Sequence, residues 1–446
     1  MILLLVFSMA CGPVKKNHED RDPAEMAEVL EESLFRDILD VWYPRNLDTV
    51  HGGFISGFQR DWSPTERPLP KSLVQQARHL WTTSFIYEHY PMKKEYLDYA
   101  RNGFGFLREH MWDKEYGGFF THCLADGTPA IERNDGKLVY GQSFAIYGLS
   151  QFYAVSGEEK ALELAKAAFL WMEVNVHDKE HGGYFEFLER DGTPLGHELD
   201  ADEMGRSPGK GLKDYNSSIH ILEAFTTLYK VWPDALVKKR LEEMFLLIRD
   251  TFVHPDGYLQ LYFYPDWTLV PDSVMLQRSG GQAYNSQHIT YGHDVETAFL
   301  LLEAAHVLGL EHDASTMEIA KRMVDHSLAH GWDAETGGFF YMGKLRDGKE
   351  EIISKDKAFW VEVEGLNALL LMHTLHPDDE TDYYGKFLAT WDYIDNYLID
   401  KEYGGWYSNG LDQSPDSQDQ LKSHGWKTTY HNTRGMVHCI EMLRDL

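Results

Sequence analysis

Between residues 93 and 113 apolar side chains fall at Tyr96, Tyr99, Phe104, Leu107 and Met111, close to the i, i+3, i+4, i+7 rhythm of a helix with one buried face. The next apolar block, 140–157, carries small and apolar residues on every side, which predicts a helix buried all round. Between the two stand Gly117-Gly118, an aromatic pair and Ala125-Asp126-Gly127-Thr128, which predict a helix stop and a short β-hairpin. From Leu162 another one-faced helix begins, so polar-faced and apolar helices alternate.

This unit recurs. DKEYGGFF at 113–120 is followed by DKEHGGYF at 178–185, DAETGGFF at 333–340 and DKEYGGWY at 400–407, with looser copies DTVHGGFI at 48–55 and HPDGYLQL at 254–261. Gly52, Gly117 and Gly182 stand 65 residues apart, Gly337 and Gly404 67 apart, and the 155 residues from Gly182 to Gly337 hold two longer units. Repetition on this scale marks repeat architecture. Six helix pairs predict an all-α fold, an (α/α)6 barrel in which six inner helices sit inside six outer ones, with short β-hairpins at the turns. A central funnel opens where the inner helices begin; an open helical solenoid is the alternative. The Gly-Gly-aromatic turns read as structural, because glycine permits positive φ.

The length, 446 residues, is enough for two or three domains, yet no Pro/Ser-rich break interrupts the repeats. Residues 23–446 therefore read as one domain, with 1–22 as a signal and polar linker. Residues 1–11, MILLLVFSMAC, resemble a bacterial lipoprotein signal in which Cys11 takes the lipid. The expectation is an exported protein on the periplasmic side, tied to a membrane through that lipid alone; a cytoplasmic protein is the alternative. The net charge of −29 argues against nucleic acid as a partner and favours neutral ligands. Twelve Trp and 25 Tyr suit the apolar faces of sugars, although a helical barrel also uses aromatics in its core. The three cysteines, Cys11, Cys123 and Cys439, show no disulfide or metal spacing, so no metal site is expected. Both a monomer and a homodimer are compatible with the sequence.

Three histidines fall at the ends of predicted inner helices, where a funnel gathers side chains: His220 in NSSIHILEAF, His293 in YGHDVETAF and His431 in TTYHNTRGM. An imidazole takes and returns a proton near neutral pH. Spacing i, i+3 sets Glu296 beside His293, to orient it, and Arg434 beside His431, to hold an anionic oxygen. Arg78, Trp81 and Ser84 share another helix face.

The segments YGQSFAIYGLSQFY, NSSIHILEAFTTLYKVWP, YGHDVETAFLLLEAA and WKTTYHNTR resemble, in order, signature segments of the N-acylglucosamine 2-epimerase superfamily, above all its cellobiose and mannobiose 2-epimerase branch. The resemblance implies an (α/α)6 barrel and a cofactor-free inversion at C2 of a reducing-end sugar, so the expected partner is a neutral mono- or disaccharide. It implies His293 and His431 as the acid/base pair, His220 as the ring-opening residue and Arg78 as the group steadying the enediolate. Tyr140, Asn216 and Glu296 match supporting positions, and Trp360 and Trp426 the tryptophans shaping the sugar subsites. Ser218, Phe359-Trp360-Val361-Glu362 and Thr429 depart from the family pattern; they are expected at subsite walls, where they bear on the substrate. An aldose–ketose isomerase of the mannose type and an N-acyl amino sugar 2-epimerase are the nearest alternatives. A glycoside hydrolase needs two facing carboxylates, and Asp294 with Glu296 makes a poor pair. A non-catalytic glycan-binding protein is the remaining class.

Overall fold

A computed structural model describes residues 21–131, 136–196, 209–278 and 288–446. Cys11 and the signal-like segment lie outside the described residues. Twelve helices of eleven residues or more form the frame: α1 Pro23–Ser33, α2 Leu73–His89, α3 Glu95–Phe106, α4 Val139–Ser156, α5 Glu159–Asn175, α6 Tyr215–Val231, α7 Ala235–Leu247, α8 Tyr291–Leu308, α9 Ala314–His330, α10 Phe359–Leu375, α11 Tyr383–Tyr393 and α12 Tyr430–Asp445. The even-numbered helices pack each on the next, and α12 returns to α2, closing an inner ring. The odd-numbered helices lie outside it, with α1 closing the outer ring against α12. The expected toroid is thus formed, and the open solenoid is not.

Burial follows the hydrophobic pattern. Every residue of α4 from Val139 to Phe152 is buried, whereas α3 buries one face through Tyr96, Ala100, Gly103, Phe104 and Phe106. The predicted helix over 93–113 does not run through as one α-helix: Leu107–Met111 form a π-helical turn, and Trp112 N–H donates to Leu107 O across 3.0 Å. No helix among the described residues is long and apolar enough to cross a membrane.

The recurring DxxxGG loop solves one local problem several times. Its two glycines take successive left-handed conformations, φ +71° at Gly117 and +66° at Gly118. A Cβ on either would stand 2.7–3.0 Å from the Trp171 ring of α5, so conformation and space both require glycine. A buried lysine just before the inner helix then pins the loop. Lys71 Nζ donates to Asp48 (2.7 Å) and Gly52 O (2.7 Å), and Lys213 Nζ to Asp178 (2.7 Å), Gly182 O (2.7 Å) and Pro265 O (2.7 Å). Lys137 and Lys357 repeat the contact at Asp113 and Asp333. An inner-helix side chain also accepts the N–H beyond the turn: Gln76 from Phe54, Gln142 from Phe119, Asp294 from Leu259 and Glu362 from Phe339.

The expected hairpins form and do more than expected. Leu124 N–H donates to Thr128 O across 2.7 Å, closing the local turn. The strand His122–Cys123 also pairs antiparallel with Lys71–Ser72 of the preceding unit, in register Lys71↔Cys123, so the strands lace neighbouring units together at the funnel rim. One sheet among the described residues has three strands, His288–Ile289, Met342–Arg346 and Lys349–Ser354, the last two longer than the two-residue strands of the others.

Candidate active site

Where the inner helices begin, a cavity of about 480 Å³ opens, lined by Arg78, Tyr140, Asn216, His220, His293, Glu296, Trp360, Trp426 and His431 among others. Nine of the ten residues to which the sequence reading gave a catalytic or sugar-binding role therefore meet there. The tenth, Arg434, does not: it is buried beneath the floor and lines no part of the cavity.

Arg78 (α2), Tyr140 (α4), Asn216 and His220 (α6), His293 and Glu296 (α8), Trp360 (α10) and His431 (α12) all sit within two turns of an inner-helix N-terminus, which is why residues far apart in sequence converge. The ring of Trp360 touches both His293 (centroids 4.6 Å) and His431 (5.6 Å), so the two imidazoles share one aromatic wall. His220 stands across the cavity against Tyr140 (5.0 Å) and Phe144 (4.7 Å). Burial drives the His293 pKa down to about 3 and pushes His431 well below its ordinary value, with the Arg78 charge adding to the effect at both. Both shifts favour the neutral imidazole, the form that accepts a proton.

Arg78 is a buried cation with no carboxylate partner among the described residues. Its Nη1 donates to Trp426 O (3.0 Å) and its Nη2 to the Tyr140 hydroxyl (2.8 Å), and the guanidinium lies 4.4 Å from the Phe144 ring centroid. An uncompensated positive charge beside a cavity favours any anion that forms there.

Arg434 does something the sequence reading missed. Its guanidinium is gripped by Glu223, by Glu296 (Nη2 to Oε1, 2.6 Å) and by Glu364 (Nη2 to Oε1, 2.7 Å). Two histidines hang on the same cluster: His220 Nδ1 lies 2.9 Å from Glu223 Oε2, and His431 Nδ1 lies 2.7 Å from Glu364 Oε1. With Glu364 ionised its oxygens only accept, so His431 Nδ1 carries the hydrogen and Nε2 is left as the basic nitrogen. Burial favours a protonated Glu223, but the Arg434 charge together with the His220 and Tyr430 hydrogen bonds outweighs it and holds the carboxyl at about 2, so His220 Nδ1 is likewise the donor. Arg434 is therefore a buried hub for the carboxylates that orient two histidines, and it offers no donor to an anionic ligand in the cavity.

Two further expectations change. Glu296 does not orient His293; its Oε1 is taken by Arg434, and His293 Nδ1 instead faces the Tyr215 hydroxyl at 3.3 Å. The departures from the family pattern are mostly not wall residues. Ser218 donates to Asp214 O (2.7 Å), Glu362 accepts from Phe339 N–H (3.1 Å) and Thr429 bonds the Tyr43 hydroxyl (3.2 Å); of the group only Phe359 and Trp360 line the cavity. Asp294 is fully buried under Leu259, so no Asp294–Glu296 pair faces a glycosidic bond. Trp81 and Ser84 belong to the core: Trp81 stacks on Phe85 and Tyr147, and Ser84 Oγ donates to Leu80 O.

Glu223, Glu364, His424 and Lys427 were not anticipated. Glu223 follows His220 at i+3, the same spacing that drew attention to Glu296. Lys427 is buried with its amine on Trp406 O (2.7 Å), and burial pulls its pKa well down. A smaller cavity of about 280 Å³ shares Tyr140, Asn216 and Trp426 with the main one, and Trp426 is 56% exposed.

Residues 52–434 match the family described as N-acylglucosamine 2-epimerase (GlcNAc 2-epimerase). The chain is 29% identical over 434 residues to the cellobiose 2-epimerase of Bacteroides fragilis, covering 94% of this chain and 100% of that protein. It is 25% identical over 427 residues to a D-mannose isomerase of Marinomonas mediterranea, covering 95% and 99%. The solved cellobiose 2-epimerase of Spirochaeta thermophila superposes with a TM-score of 0.80 at 29% identity, covering 95% and 98%.

Proposed function

Because the chain belongs to the N-acylglucosamine 2-epimerase family, whose relatives here are carbohydrate epimerases and isomerases, we propose that it is a disaccharide 2-epimerase inverting C2 of a β-1,4-linked substrate such as cellobiose or mannobiose. The observation that carries the proposal is the shared wall: Trp360 contacts both His293 and His431, with Arg78, which has no carboxylate partner among the described residues, lining the same cavity. The C2 proton of a sugar is acidic only in the open aldehyde, so the ring opens first. His220, with Nε2 free to exchange a proton, shuttles it between O1 and O5. One imidazole Nε2 then removes the C2 proton, and the electron pair becomes the C1–C2 double bond of an enediolate with negative charge on O1. Arg78 and the Tyr140 hydroxyl stabilise that charge in a water-poor pocket. The other imidazole, which enters this step protonated at Nε2, delivers that proton to the opposite face of C2; the first keeps the proton it took until exchange with solvent resets the pair, the aldehyde re-forms and the ring closes on the epimer.

Trp360 supports the reducing sugar. Trp426, at the mouth, offers a platform for the second sugar, which favours a disaccharide over mannose or N-acetylglucosamine. Incubation with cellobiose, β-1,4-mannobiose, mannose and N-acetylglucosamine separately, read by proton NMR, tests this. The expected product from cellobiose is glucosyl-mannose; accumulation of a ketose would establish an isomerase, and free monosaccharides a hydrolase. The lipid-bearing role of Cys11 is part of the same proposal, and fractionation of cells expressing the full chain or its Cys11→Ser variant tests it: a full chain wholly in the cytoplasm would refute it.

A further inference from the structure

A second cluster of metal-binding side chains stands apart from the catalytic cavity. His326 and His330 project from one face of α9 at i, i+4, and Glu350 reaches them from the strand Lys349–Ser354. Glu350 Oε2 lies 3.0 Å from His326 Nε2 and 3.7 Å from His330 Nδ1. A tetrahedral ion with arms of about 2.0–2.1 Å holds its ligand atoms about 3.3 Å apart, and the two observed separations bracket that value. The three ligand atoms lie within 4.8 Å of one another, and the two rings sit 4.7 Å apart, so small side-chain rotations bring all three onto one centre. Glu350 Oε1 is occupied by the Tyr291 hydroxyl, which fixes the carboxylate and leaves Oε2 pointing at the histidines. His326 and Glu350 are buried and His330 is 46% accessible at its side chain, giving the cluster an entry side and an open fourth position.

We propose that His326, His330 and Glu350 form a binding site for a divalent cation of the zinc type, two imidazole nitrogens and one carboxylate oxygen completing its sphere with water. Two neutral imidazoles and a carboxylate suit Zn²⁺ or Co²⁺ and are too nitrogen-rich for Mg²⁺ or Ca²⁺. Bound there, the ion ties the end of α9 to the Met342–Ser354 hairpin. Through Tyr291 it also ties both to the first residue of α8, two positions before His293.

The test uses the tag-free full chain, freed of metal with a chelator, exchanged into plain buffer and titrated with Zn²⁺ by calorimetry and with Co²⁺ by visible absorption. One equivalent of Zn²⁺, a raised melting temperature and the bands of tetrahedral cobalt are expected. His330→Ala, at an accessible position that the fold does not need, should lose all three, as should Glu350→Gln. His431→Ala should keep them, because the other cluster of ligand type among the described residues, Glu296, Glu364 and His431, lies around Arg434. No saturable uptake by the wild-type chain, or uptake unchanged in His330→Ala, would overturn the proposal and leave the trio as a histidine–carboxylate ion pair.

Discussion

Glu364→Gln isolates the buried charge behind His431. In the wild type His431 Nδ1 (2.7 Å) and Arg434 Nη2 (2.7 Å) both donate to Glu364 Oε1, while Oε2 is buried without a partner. Two donors on one position hold the glutamine carbonyl there, so the tautomer of His431 is kept and the new amide replaces an oxygen that already lacked a partner. What changes is charge. A hydrogen bond to a charged group contributes about 1.5–3 kcal/mol and a neutral one about 0.5–1.5. The difference of about 1–1.5 kcal/mol, borne as His431 becomes cationic in the transition state, amounts to roughly a five- to thirteenfold fall in kcat. Burial raises the Glu364 pKa, and repulsion from Glu296 and Glu223 adds to it against the pull of Arg434. At low pH the wild-type carboxyl is therefore already neutral and the deficit shrinks; as pH rises and Glu364 ionises, the deficit grows. Initial rates of epimerisation from acid to alkaline pH measure this, with the His431 Nδ1–H resonance as a check on the tautomer. An unchanged kcat at alkaline pH would refute the positioning role, and a loss beyond a thousandfold in a folded variant would assign proton transfer to Glu364 itself.

Three further outcomes follow from the same contacts. Arg78→Met should lower kcat about 10²–10³-fold, the effect of removing one donor to a developing oxyanion, with little change in KM; a loss confined to KM would reduce Arg78 to substrate binding. Lys213→Met leaves the buried Asp178 carboxylate and the carbonyls of Gly182 and Pro265 without their donor, at a cost of about 3–5 kcal/mol in urea unfolding. Asp178→Asn in the same chain should recover part of that, and a loss below about 1 kcal/mol, the scale of an exposed ion pair, would contradict the pinning role. Burial raises the Asp294 carboxyl from 3.8 to about 8, so the native chain holds a proton that the unfolded chain releases between those values. Stability from this group is full below the unfolded pKa and falls by about 1.4 kcal/mol per pH unit through the window. Asp294→Asn keeps an acceptor for Leu259 N–H and should remove that slope; an unchanged slope would contradict the assignment.

The toroid was legible because its units are periodic at two levels, 3.6 residues within a helix and about 65 between turns. The pairing of Lys71–Ser72 with His122–Cys123 was not, since nothing local links strands fifty residues apart. The histidines announced themselves by their neighbours, but the buried acids did not: Glu223 and Glu364 sit in helices where a lone carboxylate in sequence reads as a surface residue. Arg434 shows the limit of spacing arguments. Position i+3 puts it on the side of α12 that carries His431, yet one turn further along that side leaves the cavity and enters the core, where three carboxylates wait.

The central claim, two histidines on opposite faces of C2, is tested most directly by solvent deuterium exchange in His293→Ala and His431→Ala, each given both epimers of the substrate separately in D₂O. The account predicts that neither variant interconverts the epimers, and that one variant exchanges C2 hydrogen only in the gluco epimer while the other does so only in the manno epimer. Epimerisation above about a tenth of the wild-type rate in either variant, far above the 10²–10⁴-fold loss expected for a missing acid/base, or exchange of the same epimer by both, would contradict it.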